Sequence, residues 1–144
     1  MEYKHIYLAG LFFLNTQAFA VSQEFCPEAQ NIHLTGAYYS AEGGWLGQAQ
    51  TGDNSPLQRF VGGIYQPKDG SSSPTGGHIA RCTYTTQNGN EVNLLYPLNA
   101  QGKTAVVKLE KLENWKTAEG YFGTTIYECT TQAKGACAFS RLKE

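Results

Sequence analysis

The chain has 144 residues, with 11 Lys plus Arg against 12 Asp plus Glu and a formal net charge of −1. Charges of both signs are scattered along it, so it carries no basic footprint for nucleic acid or for an anionic lipid surface. Four cysteines, 16 glycines and an aromatic content of 12% describe instead a small, turn-rich chain built around rings and cross-links.

The chain opens as an export signal. Lys4 and His5 form a weakly basic flank, residues 6–14 an apolar stretch, and Ala18-Phe19-Ala20 a small-x-small cleavage site. That stretch is about half of the roughly 20 residues that span a bilayer, and no later segment is longer or more apolar. Leu8-Ala9-Gly10 looks like the start of a lipobox, but Leu11 stands where the acylated cysteine would have to be. Residues 1–20 are therefore read as a signal peptide cleaved after Ala20. Residues 21–144 are read as one soluble domain without a membrane span, in the periplasm or secreted beyond it.

Beyond residue 20, short apolar or alternating runs are broken by Gly, Asn, Ser and Pro, which is the pattern of antiparallel β structure. At most one helical turn is expected, over residues 27–32, with Pro27 at the first helical position where its missing N–H is harmless. Strands are expected over residues 33–39, 44–50, 58–66, 78–86, 91–96, 104–109 and 120–129, with a short last strand over 136–140. Residues 67–77 have the composition of a flexible surface loop, with too few apolar side chains to pack. Asn88-Gly89 supplies two residues that tolerate positive φ, as a tight hairpin turn between residues 81–85 and 91–96 requires. Pro97 ends the second of these strands or leaves it at an edge. Residues 108–115 are ambiguous, because Leu109, Leu112 and Trp115 recur every third residue while Val106 and Val107 favour strand.

Cys26, Cys82, Cys129 and Cys137 all follow the signal, in what would be an oxidising compartment, and are read as two disulfides. Four cysteines permit three pairings, and the sequence alone does not choose among them. The short spacing makes a Cys129–Cys137 clip easy, which leaves a long Cys26–Cys82 tie. Chain-entropy arguments give about 4 kcal/mol for the long loop and about 2.5 kcal/mol for the short one. A zinc site would want paired C-x₂₋₄-C spacing, which is absent.

Catalytic patterns are sparse. His33 and His78 are the histidines beyond the signal, and Asp53 and Asp69 are the aspartates. Ser71, Ser72 and Ser73 lie in the polar loop near His78, yet no G-x-S-x-G elbow exists, and a flexible loop holds a catalytic group poorly. Glu42, Glu91, Glu119 and Glu128 show no pairing that would suit glycoside hydrolysis. Gly62-Gly63 and Gly76-Gly77 lack a phosphate-cradling context. No cofactor and no metal are expected.

Aromatic residues are the class most suited to binding. Trp45 is flanked by Gly43, Gly44 and Gly47, and such a ring can stack on a sugar or enter a partner's groove. It can equally fill the core of a small β domain, with the glycines making room, and this second reading is the favoured one. The surface reading keeps Trp45, Tyr38, Tyr39 and His78 as the candidate binding set. Tyr38 and Tyr39 are adjacent, so on a strand they face opposite sides.

Cys26-Pro27, Trp45-Leu46-Gly47, Phe60-Val61-Gly62-Gly63-Ile64-Tyr65, Cys82-Thr83-Tyr84 and the ending Cys129 … Cys137-Ala138-Phe139 together resemble a family of small exported bacterial proteins of unknown function. That resemblance implies a Gram-negative export product with no assigned activity. Residues 81–109 also look like part of the small β-barrel periplasmic inhibitors of c-type lysozymes, which place a Ser/Gly-rich loop and a lysine in the enzyme's cleft. Lys116-Thr117-Ala118-Glu119-Gly120-Tyr121 stands where that loop would be, without its serines.

The expectation is thus a mainly β, disulfide-stapled domain, a single antiparallel sheet or a small barrel. Its expected role is non-catalytic binding of a protein or glycan partner. A lysozyme-inhibitor-like protein, or a small secreted hydrolase using His78 or His33 with a glutamate, are the alternatives. Oligomeric state is left open.

Overall fold

A computed structural model describes residues 23–143, so the signal-peptide reading of residues 1–20 lies outside the described residues. The N-terminal part runs through β1 (Glu24–Phe25), a 3₁₀ turn at Ala29–Asn31, β2 (His33–Thr35), β3 (Tyr38–Ala41) and β4 (Trp45–Gln48). The long central strands are β5 (Leu57–Gln66) and β6 (Thr75–Thr86), followed by β7 (Glu91–Leu94) and β8 (Val107–Leu109). After a second 3₁₀ turn at Leu112–Asn114 come β9 (Lys116–Glu119), a third at Tyr121–Gly123, β10 (Thr125–Cys129) and β11 (Ala138–Arg141).

Every pairing between these strands is antiparallel. The main sheet has the order β1-β11-β8-β6-β5-β10-β9, with β7 also pairing β6. Strands β2-β3-β4 form a small second sheet. One backbone bridge joins the two sheets, where Leu46 and Leu95 exchange hydrogen bonds of 3.2 and 2.9 Å. The close approach there needs Gly47, since a Cβ on it would lie 2.7 Å from the Asn93 carbonyl oxygen. The mainly β, antiparallel class is as the alternation of apolar and polar residues predicts: β4 and β7 each alternate buried and exposed positions.

Most expected elements differ at their end residues, and four differ by more than that. Residues 33–39 are two strands, because Gly36, at φ +61°, opens a two-residue turn that folds β3 back on β2. Residues 120–129 are strand only from Thr125, since the segment before it closes a tip onto β9, a strand the sequence reading did not contain. In the Asn88-Gly89 hairpin only Gly89 has positive φ. The Gly89 N–H bonds the Thr86 carbonyl at 2.9 Å and the Thr86 N–H bonds the Asn90 carbonyl at 2.8 Å. This is a three-residue loop, not the two-residue turn with both residues at positive φ. Residues 67–77 do form a surface loop at first, but strand begins at Thr75 and the loop is fastened from outside itself. The Tyr65 and Tyr127 hydroxyls donate to the Ser73 and Ser72 carbonyls at 3.0 and 2.6 Å.

One buried cluster runs from Cys26 to Phe139 and is rich in rings. Its tyrosines bury an apolar body and use the hydroxyl to pin a peripheral segment. Tyr39 donates to the Ser55 carbonyl and Tyr84 to the Pro27 carbonyl, both at 2.5 Å. The disulfides join Cys26 to Cys82 and Cys129 to Cys137. Cys129, Gly63 and Cys82 face one another across β10, β5 and β6. Gly63 must be small, as a Cβ there would lie 2.9 Å from the Cys26 sulfur.

Candidate binding surface

Strands β9 and β10 pair from Glu119↔Thr125 to Lys116↔Glu128 at the end of the main sheet. Between them, residues 120–124 make a tight tip. The Gly120 N–H bonds the Thr124 carbonyl at 2.7 Å, and the Thr124 N–H and hydroxyl both bond the Tyr121 carbonyl, at 3.2 and 2.7 Å. These three bonds hold the turn closed. They also hold Phe122 in the left-handed region, at φ 57° and ψ 34°, which is a genuine outlier for a bulky residue. The outcome is two adjacent rings directed into solvent, Tyr121 85% and Phe122 104% exposed. Backbone strain that serves no packing contact points toward function.

The four residues expected to form the binding set are not brought together. Trp45 is 3% exposed and meets Tyr96 and Phe139 edge-on, with ring centroids 5.0 and 6.2 Å away. Tyr39, on the same inward face, is fully buried. Both therefore leave the surface set: strand alternation turns them to the core, where Gly47 lets β4 approach β7. Tyr38 faces outward, 51% exposed, and with Leu46 and Leu95 lines a shallow, open depression of about 510 Å³. His78 is half-buried on β6; burial lowers its pKa, and Asp69 acts against that shift.

Neither His33 nor His78 hydrogen-bonds a carboxylate among the described residues, and no cluster of three or more His, Cys, Asp or Glu there is placed to hold a metal ion. Glu42, Glu91, Glu119 and Glu128 are exposed on different elements. Two serine hydroxyls of the 67–74 loop are engaged locally, Ser71 accepting the Ser73 N–H at 2.9 Å and Ser73 the Thr75 N–H at 3.1 Å.

Two features escaped the sequence reading. The Tyr121-Phe122 tip had a local signal: two aromatics enclosed by Gly120 and Gly123 have nowhere to continue a strand. Asp53 also had one, since Asp-Asn-Ser-Pro is turn chemistry. Its buried carboxylate accepts hydrogen bonds from the Ser55 N–H (2.9 Å), the Ser55 hydroxyl, Thr86 (2.7 Å), Asn88 (3.1 Å) and Asn90 (2.7 Å). Those bonds, led by that of the Ser55 hydroxyl, hold it well below the usual carboxylate range.

A family model described as a protein of unknown function (DUF3757) matches residues 20–140. The chain belongs to the DUF3757 family. The match covers every strand of the DUF3757 fold described above except the last residue of β11. No curated protein and no solved structure matches the chain.

Proposed function

We infer that the protein is an exported, non-catalytic binding protein of one β domain, residues 21–144, and that it meets a partner protein through the Tyr121-Phe122 tip. The observation that carries this is the exposure of both rings on a turn closed by three hydrogen bonds. A tip already rigid loses little conformational freedom on binding, and aromatic side chains dominate interface energetics once a pocket encloses them. A protruding tip calls for a concave partner, and a protein cleft provides one. A glycan is favoured less, because the broadest ring, Trp45, lies in the core. Export is supported by the character of residues 1–20 and by two disulfides, which persist in oxidising compartments. Among the described residues no helix is long and apolar enough to cross a membrane.

The test is capture from envelope fractions by the oxidised protein, alongside a Tyr121→Ser/Phe122→Ser variant of matched folding. Partners held by the wild type and lost by the variant support the reading; identical capture by both removes the tip as the contact. The same convex geometry favours one second reading, a plug for an enzyme cleft. Adding the oxidised protein to a c-type lysozyme assay checks it, and unchanged lysis ends it.

A further inference from the structure

We propose that Asn88 is a site of spontaneous deamidation, and that its conversion to a carboxylate releases the β6–β7 hairpin from Asp53. The residues carry the chemistry. Asn88 and Gly89 are both exposed, and nothing stands within 4 Å of where a Gly89 side chain would begin. Gly89 carries no side chain to crowd its nitrogen as it approaches the Asn88 side-chain carbonyl carbon once the turn opens. That nitrogen loses its proton and forms a bond to Cγ, the Cγ–Nδ2 bond breaks, and ammonia leaves. Water then opens the resulting cyclic imide at either carbonyl, giving aspartate or isoaspartate. One water is consumed and one ammonia released, with no change of oxidation state.

The folded turn restrains this step and gives it a consequence. Both reacting groups are engaged: the Gly89 N–H bonds the Thr86 carbonyl at 2.9 Å, and Asn88 Nδ2 donates to Asp53 Oδ1 at 3.1 Å. The product carboxylate has no proton to donate there. It sets a second negative charge against Asp53, which two further bonds tie to Thr86 and Asn90 of the hairpin and two to Ser55 in its own loop. Like charges at that distance repel in a partly buried site. The isoaspartate form also lengthens the backbone within a turn closed at both Thr86 and Asn90. Deamidation is irreversible without repair, so the site records the time a molecule has spent with this turn open.

The oxidised protein is aged at mildly alkaline pH and its peptides are mapped by mass. Asn90, Asn93 and Asn99 serve as internal references, since each precedes a residue with a side chain. Conversion at Asn88 many-fold faster than at these three, as a mixture of aspartate and isoaspartate, is the expected result; conversion no faster than theirs overturns the site. Asn88→Asp tests the consequence separately. It should lower Tm by about 5 °C and speed amide exchange in the hairpin. A variant as stable and as protected as the wild type overturns the release.

Discussion

Two hairpins of the same sheet end in opposite ways. The β6–β7 tip is bound to the body of the protein: Thr86, Asn88 and Asn90 all direct side chains into the buried Asp53 carboxylate. The β9–β10 tip bonds only to itself and directs Tyr121 and Phe122 away from everything. Each hairpin contains a half-cystine, Cys82 on β6 and Cys129 on β10. The first tip adds stability through satisfied polar groups. The second leaves two apolar rings in water and keeps one in a left-handed backbone that costs on the order of 1 kcal/mol. Such a tip adds no packing to the fold itself, and the partner contact proposed above is what would bury it.

The largest expected effect separates the two half-cystines. Replacing Cys26 and Cys82 by serine frees a segment of 56 residues' separation, whereas replacing Cys129 and Cys137 frees one of 8. Chain entropy gives losses of about 4 and about 2.5 kcal/mol respectively. Denaturant unfolding measures both. The first variant should lose amide protection through β5, β6 and β7, and the second mainly at the base of β10. Equal losses with the same exchange pattern would mean that the two hairpins are not anchored independently.

A smaller effect isolates the Asp53 latch. Asp53→Asn puts an amide N–H among groups that all donate, so stability at neutral pH should fall. The sign with pH follows from the depressed carboxyl. Its contribution is complete above about pH 5, where the unfolded carboxyl is ionised, and is lost as the pH falls towards the lower folded value. The Tm difference between wild type and variant should thus be constant from neutrality to about pH 5 and shrink below it. Glu110 is also lowered, chiefly by the Ser140 hydroxyl, but it is common to both proteins and cancels in the difference. A gap that widens on acidification would remove Asp53 from this role.

The contrast between the tips also explains what was legible in the sequence. Strand class, the central strands and the β6–β7 hairpin follow from alternation and turn chemistry, which act over a few residues. Spacing made the observed disulfide pairing the easiest of three, because Cys129 and Cys137 are near in the chain, but only the fold decides it. Trp45 was ambiguous because its glycines permit either a bare ring or a crowded one. Only the approach of β4 to β7, at Gly47 and the Leu46–Leu95 bridge, decides for the core, and that contact is long-range. The role of Asp53 is hidden for the same reason, its partners Thr86, Asn88 and Asn90 lying more than thirty residues away. Tyr121 and Phe122 have strand-like composition, so they read as part of β10 until the two flanking glycines are given weight.

The smallest effect on stability is the sharpest test of the open tip. Glycine adopts the φ 57° of Phe122 without the penalty a side chain suffers there. Glycine also adds freedom to the unfolded chain, which offsets part of that gain. Phe122→Gly should therefore leave the fold unchanged or stabilise it by up to about 1 kcal/mol, while removing one of the two rings through which binding is proposed. Unfolding midpoints and partner capture, measured on the same preparation, should move in opposite directions. A clear loss of stability would show that the ring supports the fold after all, and the two hairpins would then differ in degree and not in kind.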